Sequence, residues 1–328
     1  MVASSLMEKI NLLVVENPKE PKPPLLDRMP DYVSYVQGTA LADFETSLAQ
    51  AHVILSWGAK RDLMAQMLAK APKLRWIHSR SAGLDSLIFQ ELVESPVPLT
   101  NGRGVFSQSL GEFVIGAVLF FAKDMKRMLR SQKEGRWDQF DVQEIRGQTI
   151  GIVGYGDIGR AIAKRASAME MKVLAMRRRP ELSNGDPYVS EMFGFGQKKE
   201  LMERCDYVVS ALPLTSETKD FLSTADFAAM KKSSIFMNVG RGPVVDEPAL
   251  IAALWNEQIR GAALDVFAVE PLPAGHPFYS MDNVLMSAHC ADNTAEWLND
   301  AMRFFYQNLD RFWRKEPLLN VVDKKAGY

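Results

Sequence analysis

The chain has little cysteine, only Cys205 and Cys290 in 328 residues, which excludes a small fold stapled by disulfides. Both thiols read as buried side chains in a reducing compartment. Neither sign of charge is in excess: 39 Lys and Arg stand against 40 Asp and Glu. No global field therefore exists to hold a nucleic acid or an anionic membrane, and any anion site must be local. Long apolar runs are missing too. The longest, residues 113–122, lies between Glu112 and Lys123 and is about half the length a bilayer-spanning helix needs, so it reads as a buried helix. The N-terminus lacks the apolar stretch of a secretory signal and the arginines of a transit peptide. The cytoplasm is the default compartment, an organelle the alternative. No repeat of roughly 20–50 residues recurs, which excludes solenoids and propellers. His52, His78 and His276 stand at no metal-ligand spacing, so no metal site is expected.

What is present is an alternation of short apolar strands with helical patterns, the mark of an α/β chain. Strands are expected at residues 10–15 (INLLVV), 53–57 (VILSW) and 76–79 (WIHS), with the Pro-rich NPKEPKPP as a loop. Residues 104–130 read as one long helix with basic residues at its C-terminal end. Next come TIGIV at 149–153, GYGDIGRAIAKRASAM, and KVLAM at 172–176, a complete strand–turn–helix–strand unit. Further strands are expected at 207–211, 235–239, 262–265 and 284–286, giving a doubly wound parallel sheet. Near the end, Leu298, Met302, Phe305, Leu309 and Phe312 fall on one helical face, suited to packing back across the first unit.

Gly154, Gly156 and Gly159 form GxGxxG directly after a strand, with Asp157 and Ile158 opening a helix. That context points to a dinucleotide: the first glycine permits the turn, the second admits the pyrophosphate, and the third lets helix and strand press together. Selectivity between cofactors is read about 20 residues on, where NAD sites place Asp or Glu against the ribose 2′-hydroxyl. Here Arg177 stands instead, followed by Arg178 and Arg179, donors suited to a 2′-phosphate. NADPH is expected over NADH, the alternative being a solvated basic turn.

Three polar stations follow later strands: Arg241 in NVGRGPVVD, Glu270 in ALDVFAVEP and His289 in SAH. With SAGLD at 81–85, GYGDIG and PLTSET at 213–218, in this order and spacing, the chain resembles the D-isomer-specific 2-hydroxyacid dehydrogenase family, including glyoxylate and hydroxypyruvate reductases. The resemblance implies a Rossmann-type dinucleotide-binding domain, residues 104–293, inserted into a smaller flavodoxin-like substrate domain formed by 1–103 and 294–328. It places the active site in the cleft between them and implies a homodimer. It makes Arg241, Glu270 and His289 the catalytic triad and gives the N–H groups of Ala82 and Gly83 to the substrate carboxylate. Asp265 falls to the nicotinamide carboxamide, and Pro213 and Thr218 to the cofactor.

The residue types suit this chemistry. Hydride delivered to the carbonyl of a 2-oxoacid leaves an oxygen that must take a proton, for which His289 is the natural acid. Glu270 would keep it charged and oriented. Arg241 would grip the substrate carboxylate and carbonyl with its planar fork. Trp57, at a strand end, is a candidate wall for small substrates or simply packing. The family often has Pro where Ala288 stands and Gly where Ser81 stands, which bears on substrate identity. The expected activity is NADPH-dependent reduction of glyoxylate, hydroxypyruvate or a similar 2-oxoacid to the D-2-hydroxyacid. The alternatives are a dinucleotide-sensing, corepressor-like interaction protein and an NAD-dependent phosphoglycerate-type dehydrogenase.

Overall fold

The computed structural model describes residues 9–328. The chain forms two compact units, one from the residues before Ser107 together with Ala295–Tyr328, the other from Ser107–Thr294.

The first unit holds strands β1 (Ile10–Glu16), β2 (Val33–Gly38), β3 (Val53–Trp57), β4 (Trp76–Ser79) and β5 (Leu99–Thr100). They form an all-parallel sheet in the order β2-β1-β3-β4-β5, the flavodoxin order. Strand β3 is buried throughout, which is why its sequence is a continuous apolar run rather than an alternation. On one face Leu13, Val15, Ile54 and Ile77 pack against Met64 and Met67 of the helix Arg61–Lys70. On the other, Leu12, Val14, Leu55 and Trp76 meet Met302, Phe305, Leu309 and Phe312 of the helix Trp297–Trp313. The last helix thus covers the sheet begun at the other end of the chain.

The second unit holds β6 (Thr149–Val153), β7 (Lys172–Met176), β8 (Glu191–Phe193), β9 (Tyr207–Ser210), β10 (Ile235–Asn238), β11 (Gly261–Leu264) and β12 (Val284–Met286). All are parallel, in the order β12-β11-β10-β9-β6-β7-β8. The chain enters at the centre, winds outward to β8, then returns to β9 and winds the other way. Every strand therefore ends on one edge, and the winding reverses between β6 and β9, the position where such sheets bind ligands.

Several details depart from the sequence reading. The expected helix 104–130 is two helices, Ser107–Ala122 and Met125–Lys133. Asp124, in the left-handed region at φ 47°, breaks the run and caps the second helix by accepting the Arg127 N–H. Strands β2, β5 and β8 were not anticipated. They are edge strands, two of them of two and three residues, and β2 exposes Ser34, Tyr35 and Gln37, so none carries an apolar run. Cys205 is buried but Cys290 is exposed, because it lies in the loop beyond β12. Within 113–122, Val114, Ala117, Val118, Phe121 and Ala122 are buried. Among the described residues no helix is long and apolar enough to cross a membrane.

Candidate active site

The glycine turn follows β6. Gly154 has φ +103°, and a Cβ there would lie 2.8 Å from the Ala211 backbone, so only glycine permits the turn. A Cβ on Gly159 would collide with the Gly154 carbonyl and approach Ile152 to 3.1 Å; its absence lets the helix Asp157–Ala168 press on β6. Gly156, by contrast, faces open space. It caps that helix, whose first amides, at Asp157, Ile158 and Gly159, point from the positive end of the helix dipole. A turn closed at two glycines and open at the third fits a pyrophosphate.

At the end of β7 the arginines separate into different roles. Arg177 is half-buried and hydrogen-bonds the Ser183 hydroxyl. Arg178 pairs with Glu217 at 3.0 Å, joining the loops after β7 and β9. Arg179 is exposed. No carboxylate takes the position of Arg177. In PLTSET the Thr218 hydroxyl donates to the Pro213 carbonyl at 2.6 Å and accepts the Thr215 N–H at 2.8 Å. Thr218 is buried, and its side chain braces the loop in which Pro213 lies.

Strands β10, β11 and β12 are neighbours, so the loops carrying Arg241, Glu270 and His289 leave the sheet side by side. Asn238, at the end of β10, holds the Arg241 loop twice: its amide donates to the Arg241 carbonyl at 3.0 Å and its oxygen accepts the Gly240 N–H at 3.1 Å. The Arg241 guanidinium donates to the Gly240 carbonyl at 2.8 Å. His289 sits in the left-handed region at φ 51°, strained for a residue with a Cβ. Asp265, 1% exposed, stabilises that bend: its carbonyl accepts the His289 N–H at 2.9 Å and its Oδ1 accepts the Cys290 and Ala291 N–H groups, each at 3.1 Å.

His289 Nδ1–H donates to Glu270 Oε2 at 2.6 Å, while Glu270 Oε1 accepts the Phe267 N–H at 2.9 Å. The hydrogen bond to Glu270, with its negative charge, raises the His289 pKa above the ordinary imidazole value despite burial. Burial pushes the Glu270 carboxyl up, but the hydrogen bonds from His289 and Phe267 and the charges of His289 and Arg241 outweigh it, leaving the carboxyl below its usual range. Each partner thus favours the charged form of the other, and the pairing uses Nδ1, so Nε2 is the ring nitrogen not engaged by Glu270. Asp292, which sequence reasoning missed, joins this group: burial and the charge of Asp265 raise its pKa, opposed by His289 and Arg241. Its position three residues past His289 was the only signal.

In the first unit the SAGLD loop follows β4. The Ala82 carbonyl accepts the Asn101 amide at 2.7 Å, and among the described residues the N–H groups of Ala82 and Gly83 have no protein acceptor. Trp57 is 1% exposed and its indole N–H donates to the Pro21 carbonyl at 2.9 Å. It belongs to the core instead of forming a substrate wall. Its indole stacks at 5.1 Å on the guanidinium of Arg80, which Trp297 covers from 5.2 Å and Glu20 neutralises. That buried arginine, pulled down to about 10 by desolvation, anchors the strand end from which the loop departs.

Residues 115–291 match the family described as D-isomer specific 2-hydroxyacid dehydrogenase, NAD binding domain. The chain belongs to this family. It is 36% identical over 286 residues to glyoxylate/hydroxypyruvate reductase B of Klebsiella pneumoniae, covering 83% of this chain and 86% of the relative. Identity to the glyoxylate reductase of Thermofilum pendens is 35% over 270 residues, 80% and 78% of the two chains. A solved D-isomer specific 2-hydroxyacid dehydrogenase from Xanthobacter autotrophicus Py2, in complex with NADPH and MES, superposes with a TM-score of 0.83 at 31% identity, over 98% of this chain and 100% of that one. As a D-2-hydroxyacid dehydrogenase the protein is an NAD(P)-dependent oxidoreductase with a Rossmann-type α/β fold.

Proposed function

We propose that the protein reduces a small 2-oxoacid of glyoxylate or hydroxypyruvate size to the D-2-hydroxyacid with NADPH, and that His289 donates the proton. The observation that carries this reading is the His289–Glu270 pair, whose 2.6 Å hydrogen bond raises the imidazole pKa and occupies Nδ1, leaving Nε2 to face a substrate. When bound, the reduced nicotinamide supplies the hydride that the carbonyl carbon receives. His289 Nε2 gives its proton to the carbonyl oxygen as negative charge develops there. Arg241 binds the substrate carboxylate and polarises the carbonyl. Asp265 holds the His289 loop and is assigned the nicotinamide carboxamide.

NADPH is favoured by the missing carboxylate at the end of β7 and by Arg177, Arg178 and Arg179 beside it. The NADPH in the Xanthobacter structure and the substrates in the names of the relatives support the same reading. The test is steady-state turnover on a panel of 2-oxoacids with each cofactor, alongside direct binding of each. Glyoxylate or hydroxypyruvate should be consumed, with a kcat/KM for NADPH at least about tenfold that for NADH, the yield of one good charge-assisted contact. Equal values, or preference for NADH, contradict the cofactor assignment; no turnover on any 2-oxoacid contradicts the substrate class.

A further inference from the structure

A second imidazole–carboxylate pair engages the loop that carries Glu270. Glu247, the first residue of the helix Glu247–Trp255, directs Oε1 to His276 Nε2 at 3.3 Å, while its Oε2 accepts the Ala268 N–H at 3.0 Å. His276 Nδ1 accepts the Phe278 N–H at 3.4 Å. With Nδ1 accepting, the ring proton must be on Nε2, facing Glu247. Both side chains are largely buried, 15% and 16% exposed, and the His276 ring packs on Phe278 at 4.9 Å.

Glu247 therefore grips the loop after β11 at two points, Ala268 and His276, that bracket Glu270. Glu270 itself holds the adjoining amide, Phe267. Consecutive N–H groups of one loop are thus fixed by two carboxylates: one faces His289, and the other is anchored on a helix outside the loop. We propose that Glu247 and His276 are positioning residues that set the Glu270 carboxylate at its distance from His289. The inference rests on the reading of His289 as the proton donor. A misplacement of about 1 Å in such a pair costs up to roughly 100-fold in rate, so the loop needs an external anchor.

The test measures the pH profile of kcat for 2-oxoacid reduction together with NADPH affinity in purified full-length variants. In Glu247→Ala, kcat should fall at least about tenfold. The alkaline fall of activity should move to lower pH, because a loosened Glu270 no longer raises the His289 pKa among its other charged neighbours, Arg241, Asp265 and Asp292. NADPH affinity should stay within about twofold, since the glycine turn lies on another loop. His276→Ala should show the same pattern, and His276→Gln, which keeps an N–H donor toward Glu247, should recover most of it. A Glu247→Ala enzyme with wild-type kcat and pH profile overturns the proposal. So does a parallel loss of NADPH binding, or a His276→Gln enzyme as impaired as His276→Ala. Full turnover in His289→Ala would instead refute the proton-donor reading, whereas an inactive His289→Ala beside an unaltered Glu247→Ala would refute the positioning pair alone.

Discussion

His289 illustrates how one residue depends on others distant in sequence. Its left-handed backbone is held through Asp265, 24 residues before it, and its charge through Glu270, 19 residues before it. With His289 as the proposed proton donor, the protonated imidazole is the active form in the reductive direction, and its pKa is raised. Activity is therefore full at low pH on this limb and lost as pH rises through that raised value. Glu270→Gln removes the charge while keeping a hydrogen-bond acceptor, so the falling limb of kcat should move to lower pH; a limb in its wild-type position would contradict the pairing. Arg241, Glu270 and His289 were legible as letters because each follows a strand in a recognisable run. Asn238, Glu247 and Asp292 were not, since a single polar residue at a strand end, a helix start or in a loop looks like any solvated one. Trp57 was ambiguous for the opposite reason: a large aromatic at a strand end serves a wall and a core equally well until its indole N–H is seen bound to Pro21.

At the scale of elements, the glycine turn separates structure from binding within one motif. Gly154→Ala puts a side chain at φ +103° and 2.8 Å from the Ala211 backbone, so it should lose at least about 1–2 kcal/mol from backbone conformation alone. Gly156→Ala meets no atom within 4 Å and should fold nearly as well as the wild type yet bind NADPH weakly. Urea unfolding of both variants, with cofactor titration of the second, checks this; a stable Gly154→Ala or a tightly binding Gly156→Ala would contradict the assigned roles. The central strands were readable because burial on both faces demands uninterrupted apolar residues. Strands β2 and β8 were not, because at a sheet edge pairing is set by the neighbouring strand and little apolar residue is needed. The break at Asp124 escaped notice because the helical pattern resumes on the far side, and a lone Asp between Lys123 and Met125 gives no sign of its left-handed φ.

For the whole molecule, the two sheet orders follow from where each chain segment starts and reverses, and the sequence pattern supplied most of their strands but not the edge strands β2, β5 and β8 or the neighbours of each. The resemblance to a known family supplied the rest. That resemblance also implies a homodimer, which stands as a proposal; Leu129, 63% exposed, and Trp137, 90% exposed, are side chains a partner copy would cover. Light scattering should return about twice 36.8 kDa, and a clean monomer would reject the dimer. The central claim, proton donation by His289, is tested most directly by single-turnover reduction of glyoxylate or hydroxypyruvate by NADPH in His289→Ala. The rate should fall by about 100- to 10,000-fold with NADPH affinity unchanged; a wild-type rate in that variant would contradict the mechanism.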